Sequence, residues 1–376
     1  MMKKIPLSSP DITDFERKAV MDVLRTQTLS LGPKLNEFEE RFAKFAKRKY
    51  AVAVNSGTSA LHLIVRALGI GKGDEVITTP FSFIASSNCI LYEGAKPVFA
   101  DIDEETLNID IKKIEGKITK RTKAILAVDV FGNPADWDAL LRIAKKHKLK
   151  VIEDSAEALG SSYKGKPCGS FGDAAVFAFY PNKQMTTGEG GVILTDNPKI
   201  EEMCRSMANQ GRKVKNGKWL EHIRLGYNYR LSEIECVLGI AQLQRVKELL
   251  QKRSKVARMY DAKLRGIKGL ELLKAGKEAK KSFFVYVVKL SRQYSRSQRG
   301  DIISRLAEKG IQCSTYFQTI HLQPFYRESF GYKKGDFPIA EGVSDRTIAL
   351  PFYNNLKEKD MDFVVKALKE SLSDLG

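Results

Sequence analysis

The sequence predicts an α/β protein: a mostly parallel, seven-stranded sheet covered by helices, followed by a smaller α+β domain. Between about residues 50 and 195, seven short β-rich apolar runs alternate with helical stretches, the pattern of strands joined by helical crossovers. Several of these runs lack polar alternation, as strands buried on both faces do. The chain, at 376 residues, is also long for a single hydrophobic core. Two domains are therefore expected, a large one over residues 1–254 and a small one over 255–376, with the first residues docked on the small one.

The strand candidates are 50–54, 75–79, 97–100, 124–130, 151–154, 174–179 and 192–195. In such sheets ligands collect at the carboxyl ends of strands, and the unusual residues fall there. A long helix is expected from Ser232, where Ser232 and Glu235 form a capping box. Ile234, Val237, Leu238, Ala241, Leu243 and Val246 continue it at helical spacing towards Leu264. Beyond it, 282–290 and 312–317 read as strands, and 297–310 and 360–372 as helices.

Composition narrows the class. With 43% hydrophobic and 29% charged residues, the chain has the make-up of a soluble globular protein. No stretch has the apolar length needed to cross a bilayer, and the polar start after Met1 argues against a secretory signal. A cytoplasmic protein without membrane contact is expected. The five cysteines are scattered without CxxC pairing, and the four histidines lack ligand spacing, so neither a disulfide framework nor a metal site is expected. The formal charge of +18 suits nucleic acid, an anionic surface or phosphorylated small substrates. Acidic residues interleave the basic ones, so most lysines read as solvated helix faces rather than a nucleic-acid-binding arm.

Three segments carry chemistry. Asn55-Ser56-Gly57-Thr58-Ser59 follows the first strand and opens a helix. Free N–H groups and the helix dipole make such a position an anion site, although an ordinary Ser/Thr cap needs no ligand. Asp154 ends the fifth strand candidate, followed by Ser155, Ala156 and Glu157. A buried carboxylate there is costly without a partner; a protonated pyridine nitrogen is one such partner, and a helix cap is the alternative. The sixth strand candidate runs into Tyr180-Pro181-Asn182-Lys183 and the Gly-rich Gly188-Glu189-Gly190-Gly191. A lysine among apolar neighbours and a cationic cofactor can act as an amine nucleophile and base, though a chain with 63 Lys and Arg residues offers many surface lysines.

In this order the segments resemble the DegT/DnrJ/EryC1/StrS family of sugar aminotransferases, a fold-type-I pyridoxal-phosphate group. The resemblance runs from Thr28 to Pro33 and Phe38-Glu39, through the three segments above, Thr79 to Phe83 and Phe171-Gly172-Asp173, to Gly226-Tyr227-Asn228-Tyr229-Arg230 and His321-Leu322-Gln323-Pro324. Each piece is weak singly, and together in register they are specific. The resemblance implies an aspartate-aminotransferase-like fold and a homodimer with shared active sites. It implies pyridoxal 5'-phosphate as cofactor, with pyridoxamine 5'-phosphate as the intermediate form. Lys183 matches the Schiff-base lysine and proton shuttle, Asp154 the pyridinium partner, and Gly57, Thr58 and Ser59 the phosphate cradle. Phe83 matches the ring stacked on the pyridine, Glu157 lies near the ring hydroxyl, and Asn228 matches a residue reaching the partner's phosphate. Arg230 and His321 are candidate substrate ligands, with a purely structural role equally open for each.

Ala178 departs from the family, many members having a phosphate-binding Ser there, and Glu157 replaces Gln or His. Members that dehydrate sugars have His in place of the lysine, so Lys183 speaks for transamination. The function expected by resemblance is transfer of an amino group from an amino acid, such as L-glutamate, to a 3- or 4-keto sugar carried on UDP, GDP or dTDP. The alternatives are a keto-cyclitol aminotransferase, a sugar dehydratase, or a basic nucleic-acid-binding or regulatory protein that kept the fold without the chemistry.

Overall fold

The structure is a computed structural model that describes residues 4–215 and 218–374, without the side chains of 214–220. The main sheet contains β1 (Tyr50–Val54), β2 (Glu75–Thr78), β3 (Lys96–Phe99), β4 (Thr122–Val128), β5 (Lys150–Asp154), β6 (Ala174–Ala178) and β7 (Gly191–Thr195). Their spatial order is β1-β7-β6-β5-β4-β2-β3. The β3-β2-β4-β5-β6 pairings are parallel, and β7 runs antiparallel to both β6 and β1. Each expected strand is present within two residues of its expected ends.

Burial on both faces explains the apolar runs. Val52, Val54, Val128, Val176 and Ile193 join one cluster with Leu61 and Ile64 of helix α1 (Gly57–Ala67). The alternate residues Ala51, Ala53, Ala175, Phe177 and Leu194 face the other way, against Phe38, Phe42 and Ile240. Further along that face, Ile125, Ala127 and Val151 pack on Trp137 and Leu140 of helix α2 (Trp137–His147). The two-residue period of a strand produces this division.

Register puts the chemistry at one end. Val128 pairs with Asp154, and Asp154 with Val176. Gly191, first in its antiparallel strand, pairs with both Val54 and Ala178. The carboxyl ends of β1, β5 and β6 therefore lie together.

The Ser232–Glu235 capping box is present, but the long helix is broken. Helices α3 (Glu233–Gln244) and α4 (Val246–Leu264) meet at Arg245, which has φ −94° and ψ 0°. Its guanidinium is held by Glu16 at 2.5 Å and Asp11 at 3.2 Å, a pull from the amino-terminal segment that apolar spacing does not reveal. A second sheet orders β8 (Leu270–Leu272), β9 (Tyr286–Leu290) and β10 (Thr347–Leu350), all antiparallel. One of its faces packs with Val256, Tyr260, Ile302 and Leu368 in a second core; Val285, Val287 and Ala349 join the main cluster instead. Ile5 enters the second core, its N–H donating to the Gly310 carbonyl at 2.9 Å.

Two expectations for this region are corrected. The 282–290 strand begins only at Tyr286, because Ser282 N–H and the Phe284 carbonyl bond elsewhere, to Ser161 and Arg253. The 312–317 segment is no strand; it makes an isolated bridge from Ser314 to Ala349. No helix among the described residues is long and apolar enough to cross a membrane. The five cysteines are free thiols, four of them buried.

Candidate active site

A cavity of about 510 Å³ opens at the carboxyl ends of β1, β5 and β6, within the ~300–1,000 Å³ typical of small-molecule sites. Its floor starts at α1. Ser56 caps this helix, its hydroxyl accepting from Ser59 N–H at 3.0 Å. The amides of Gly57 and Thr58 lie in the first turn, which has no intrahelical acceptors, and both residues line the cavity. Ser59 does not: its hydroxyl donates to Asn55 Oδ1 at 2.7 Å, and Ser56 lines the cavity instead. The fit is close around this turn. A Cβ on Gly191 would fall 2.6 Å from the Ser56 carbonyl carbon, so glycine there lets the turn pass.

Asp154 also lines the cavity, 4% exposed. Ser86 Oγ donates to it at 2.7 Å and Ala156 N–H at 3.2 Å. Burial raises this carboxyl above its usual range; Ser86, Ala156 and Lys183 oppose that. Ser86 in turn contacts Ser82 Oγ at 3.0 Å, and both hydroxyls line the cavity. Beneath the strand end, Asp129, Glu153 and Cys168 cluster within 4.8 Å. By residue type the trio could hold a metal. Its carboxylate oxygens, however, accept from the N–H groups of Ala135, Gly169 and Phe171 and from Trp137 Nε1. Burial raises Asp129 to about 6 and Glu153 well above its usual range, and the Ser155 hydroxyl lies within 2.8 Å of both carboxyls.

Lys183 sits on the turn after β6, its Nζ 4.2 Å from the centroid of the Phe284 ring and 3.9 Å from Glu157 Oε1. Burial lowers the amine's pKa; Glu157 and Asp154 oppose the shift and Arg253 reinforces it. Glu157 is pushed up to about 7 by burial, with Lys183 and the Phe131 N–H at 2.8 Å pulling it down. Both members of this pair are thus drawn towards their neutral forms, as burial demands of weakly compensated charges. Phe83, 60% exposed, lines the cavity, and Phe284, Tyr316 and Phe317 add further aromatic lining from the second sheet region.

The remaining candidates lie elsewhere in the chain. Asn228 is exposed and does not line the cavity; its carbonyl lies 3.4 Å from Asn55 Nδ2. Arg230 donates to Asn209 Oδ1 at 3.1 Å and borders a different cavity, of about 410 Å³. His321 is fully buried, its Nε2 3.0 Å from Glu341 Oε1 and its ring edge-on to Phe337. Burial lowers its pKa. The structure brings neither Arg230 nor His321 to the Lys183 cavity.

Sequence reasoning gave Ser56 no role of its own within the anion-site segment and missed Ser86, Phe284, Tyr316 and Arg253. Ser56 carried a usable signal, since a serine three residues before Ser59 at a strand–helix junction is a cap by position. The others come from distant segments whose approach has no local signature.

The residues present fit pyridoxal phosphate: first-turn amides without intrahelical acceptors for an anion, a buried carboxyl for a ring cation, an exposed aromatic side chain, and a desolvated amine, all around one cavity. The sequence profile described as the DegT/DnrJ/EryC1/StrS aminotransferase family matches residues 10–369. GDP-perosamine synthase of Escherichia coli O157:H7 is 37% identical, the match covering 99% of this chain and 100% of that one. The putative sugar aminotransferase Spr1654 of Streptococcus pneumoniae, solved in its PMP form, superimposes with a TM-score of 0.94 at 30% identity, over 99% of this chain and 100% of that one. Helicobacter pylori PseC, an aminotransferase of pseudoaminic acid biosynthesis, gives 0.93 at 31% identity over 99% and 100%.

Proposed function

Because the chain belongs to the DegT/DnrJ/EryC1/StrS aminotransferase family, we propose that it is a pyridoxal-phosphate-dependent sugar aminotransferase acting on a keto-sugar carried on a nucleotide, with L-glutamate as amino donor. One observation carries this reading: the desolvated Lys183 amine and the buried Asp154 carboxyl share a cavity with the open first turn of α1. Relatives named as sugar aminotransferases and as a GDP-perosamine synthase support a sugar on a nucleotide. The formal charge of +18 favours an anionic diphosphate.

Bound pyridoxal phosphate supplies an electron-poor ring that accepts the electron pair released at the carbon bearing the amino group. The chain does the rest. Gly57 and Thr58 N–H groups would bind the phosphate; Ser59 braces that turn through Asn55, and Ser56 lines the cavity beside it. Asp154, steadied by Ser86, would keep the ring nitrogen protonated, a charge pairing that would offset the cost of its burial. Lys183 would hold the cofactor covalently, and its free amine would move the proton at the reacting carbon. Its lowered pKa leaves more of the amine unprotonated for both tasks. Glu157, partly protonated near neutrality, and Phe83 line the same cavity; they would hold the ring hydroxyl and the ring face of the cofactor. In a homodimer, Asn228 of each copy serves the other's phosphate site. Residues 1–254 then form the cofactor-binding domain and 255–376 the smaller one. Arg230 and His321, away from the cavity, have no direct contact with substrate in this proposal.

A panel of UDP-, GDP- and dTDP-linked 3- and 4-keto sugars, incubated with L-glutamate, tests the reading through 2-oxoglutarate release. Turnover of one member supports it. No turnover across the panel by yellow, cofactor-loaded protein would remove the nucleotide-sugar assignment and favour a keto-cyclitol.

A further inference from the structure

Arg253, on α4, is 3% exposed, and among the described residues no carboxylate lies within ion-pair distance of its guanidinium. A buried charge of this kind is costly unless polar groups replace water. Four backbone carbonyls do so here. Nη2 donates to the Lys183 carbonyl at 2.7 Å and the Asn182 carbonyl at 3.2 Å. Nη1 donates to the Phe284 carbonyl at 3.0 Å and the Phe283 carbonyl at 3.3 Å. The Phe352 ring lies 5.5 Å from the guanidinium carbon and limits its movement. Because the guanidinium is planar and rigid, its two nitrogens fix these two segments relative to each other. Those segments supply both halves of one contact, the Lys183 amine and the Phe284 ring 4.2 Å beneath it.

We propose that Arg253 is a positioning residue: by gripping the backbone on both sides of the Lys183–Phe284 contact, it sets where the amine stands in the cavity. The proposal rests on the reading that Lys183 binds the cofactor. The charged groups facing the amine are Glu157 and Asp154 from the β5 end and Arg253 from α4. Of these, Arg253 alone disfavours the protonated amine.

The test adds pyridoxal phosphate to cofactor-free parent, Arg253→Lys and Arg253→Gln proteins. It follows the rate at which the yellow band grows and the pH midpoint of that band, with thermal unfolding as a check on the fold. Lysine keeps the charge and loses the fork. The band should then form about fivefold more slowly or worse, with the midpoint near the parent's. Glutamine loses both, so the rate should fall as far and the midpoint should rise by about half a unit or more. A merely structural arginine would shift the melting temperature and leave the rate and midpoint unchanged. Either folded variant matching the parent in rate overturns the proposal. Failure of both to fold overturns it too, because Arg253 would then hold the fold rather than the amine. A parent protein that forms no yellow band would instead remove the cofactor reading itself.

Discussion

Alanine at position 57 would close the gap between α1 and β6. A Cβ built on Gly57 stands 2.7 Å from the Ala178 Cβ, whereas contacting carbons settle at about 3.5–4.0 Å. Roughly 1 Å of overlap must be relieved, and the obstacle is a methyl on a strand end, with no flexible chain to swing aside. Gly57 is absent from the positive-φ residues, so the strain is steric alone. Overpacking of this size costs ~1–3 kcal/mol, and the better helix propensity of alanine offsets at most ~1 kcal/mol. Relief by retreat of α1 shifts the Gly57 and Thr58 amides, whose bonds to an anion need distances of ~2.7–2.9 Å. Pyridoxal-phosphate affinity should therefore fall about 10- to 100-fold, a loss of ~1.4–2.8 kcal/mol, in an absorbance titration of cofactor-free Gly57→Ala protein. Removing the opposing methyl restores the space. Gly57→Ala combined with Ala178→Gly should thus recover affinity, with a coupling energy of ~1 kcal/mol or more. Effects that add to within ~0.5 kcal/mol would refute the steric reasoning.

Ala178→Ser places a hydroxyl on the cavity wall beside the same turn. It should tighten cofactor binding by ~1 kcal/mol, about fivefold in the same titration; weaker binding would contradict the assigned phosphate position. Glu157 gives a pH signature in cofactor-free protein. Its carboxyl is raised from 4.5 to about 7 by folding, so the native state binds the proton more tightly than the unfolded chain. Stability must then fall as pH rises from about 4.5 to 7, by ~3 kcal/mol from this group. Asp129, raised to about 6, acts in the same direction. Urea unfolding at about pH 5 and pH 8 should show a steeper loss for the parent than for Glu157→Gln; equal slopes would rule out a raised Glu157.

The main sheet was legible because each strand is buried on both faces and so appears as an unbroken apolar run. The helix caps were legible because Ser232 and Glu235 satisfy a local geometric rule. Features set by distant partners were not. Arg245 interrupts a helix through Asp11 and Glu16, and the expected 312–317 strand fails because its neighbours offer only the Ala349 bridge beyond the amino-terminal contact of Ile311 with Ile5. At the site, Lys183, Asp154, Gly57 and Thr58 could be named from segment order, since each lies at a strand end or helix start. Ser59 falls in the same turn, where its hydroxyl donates to Asn55 Oδ1, a bond that segment order does not reveal. Arg253 was hidden among 63 basic residues, and its role follows from four carbonyls that only the folded chain brings together.

Attachment of the cofactor is open to direct mapping. Borohydride treatment of the pyridoxal-phosphate-loaded protein, followed by proteolysis and mass spectrometry, should place a stable phosphopyridoxyl group on Lys183. The Lys183→Ala protein should stay colourless. Lys281 is the natural decoy, its pKa also lowered by burial, to about 8. Modification at Lys281, or undiminished yellow colour without Lys183, would contradict a site organised between that amine and Asp154.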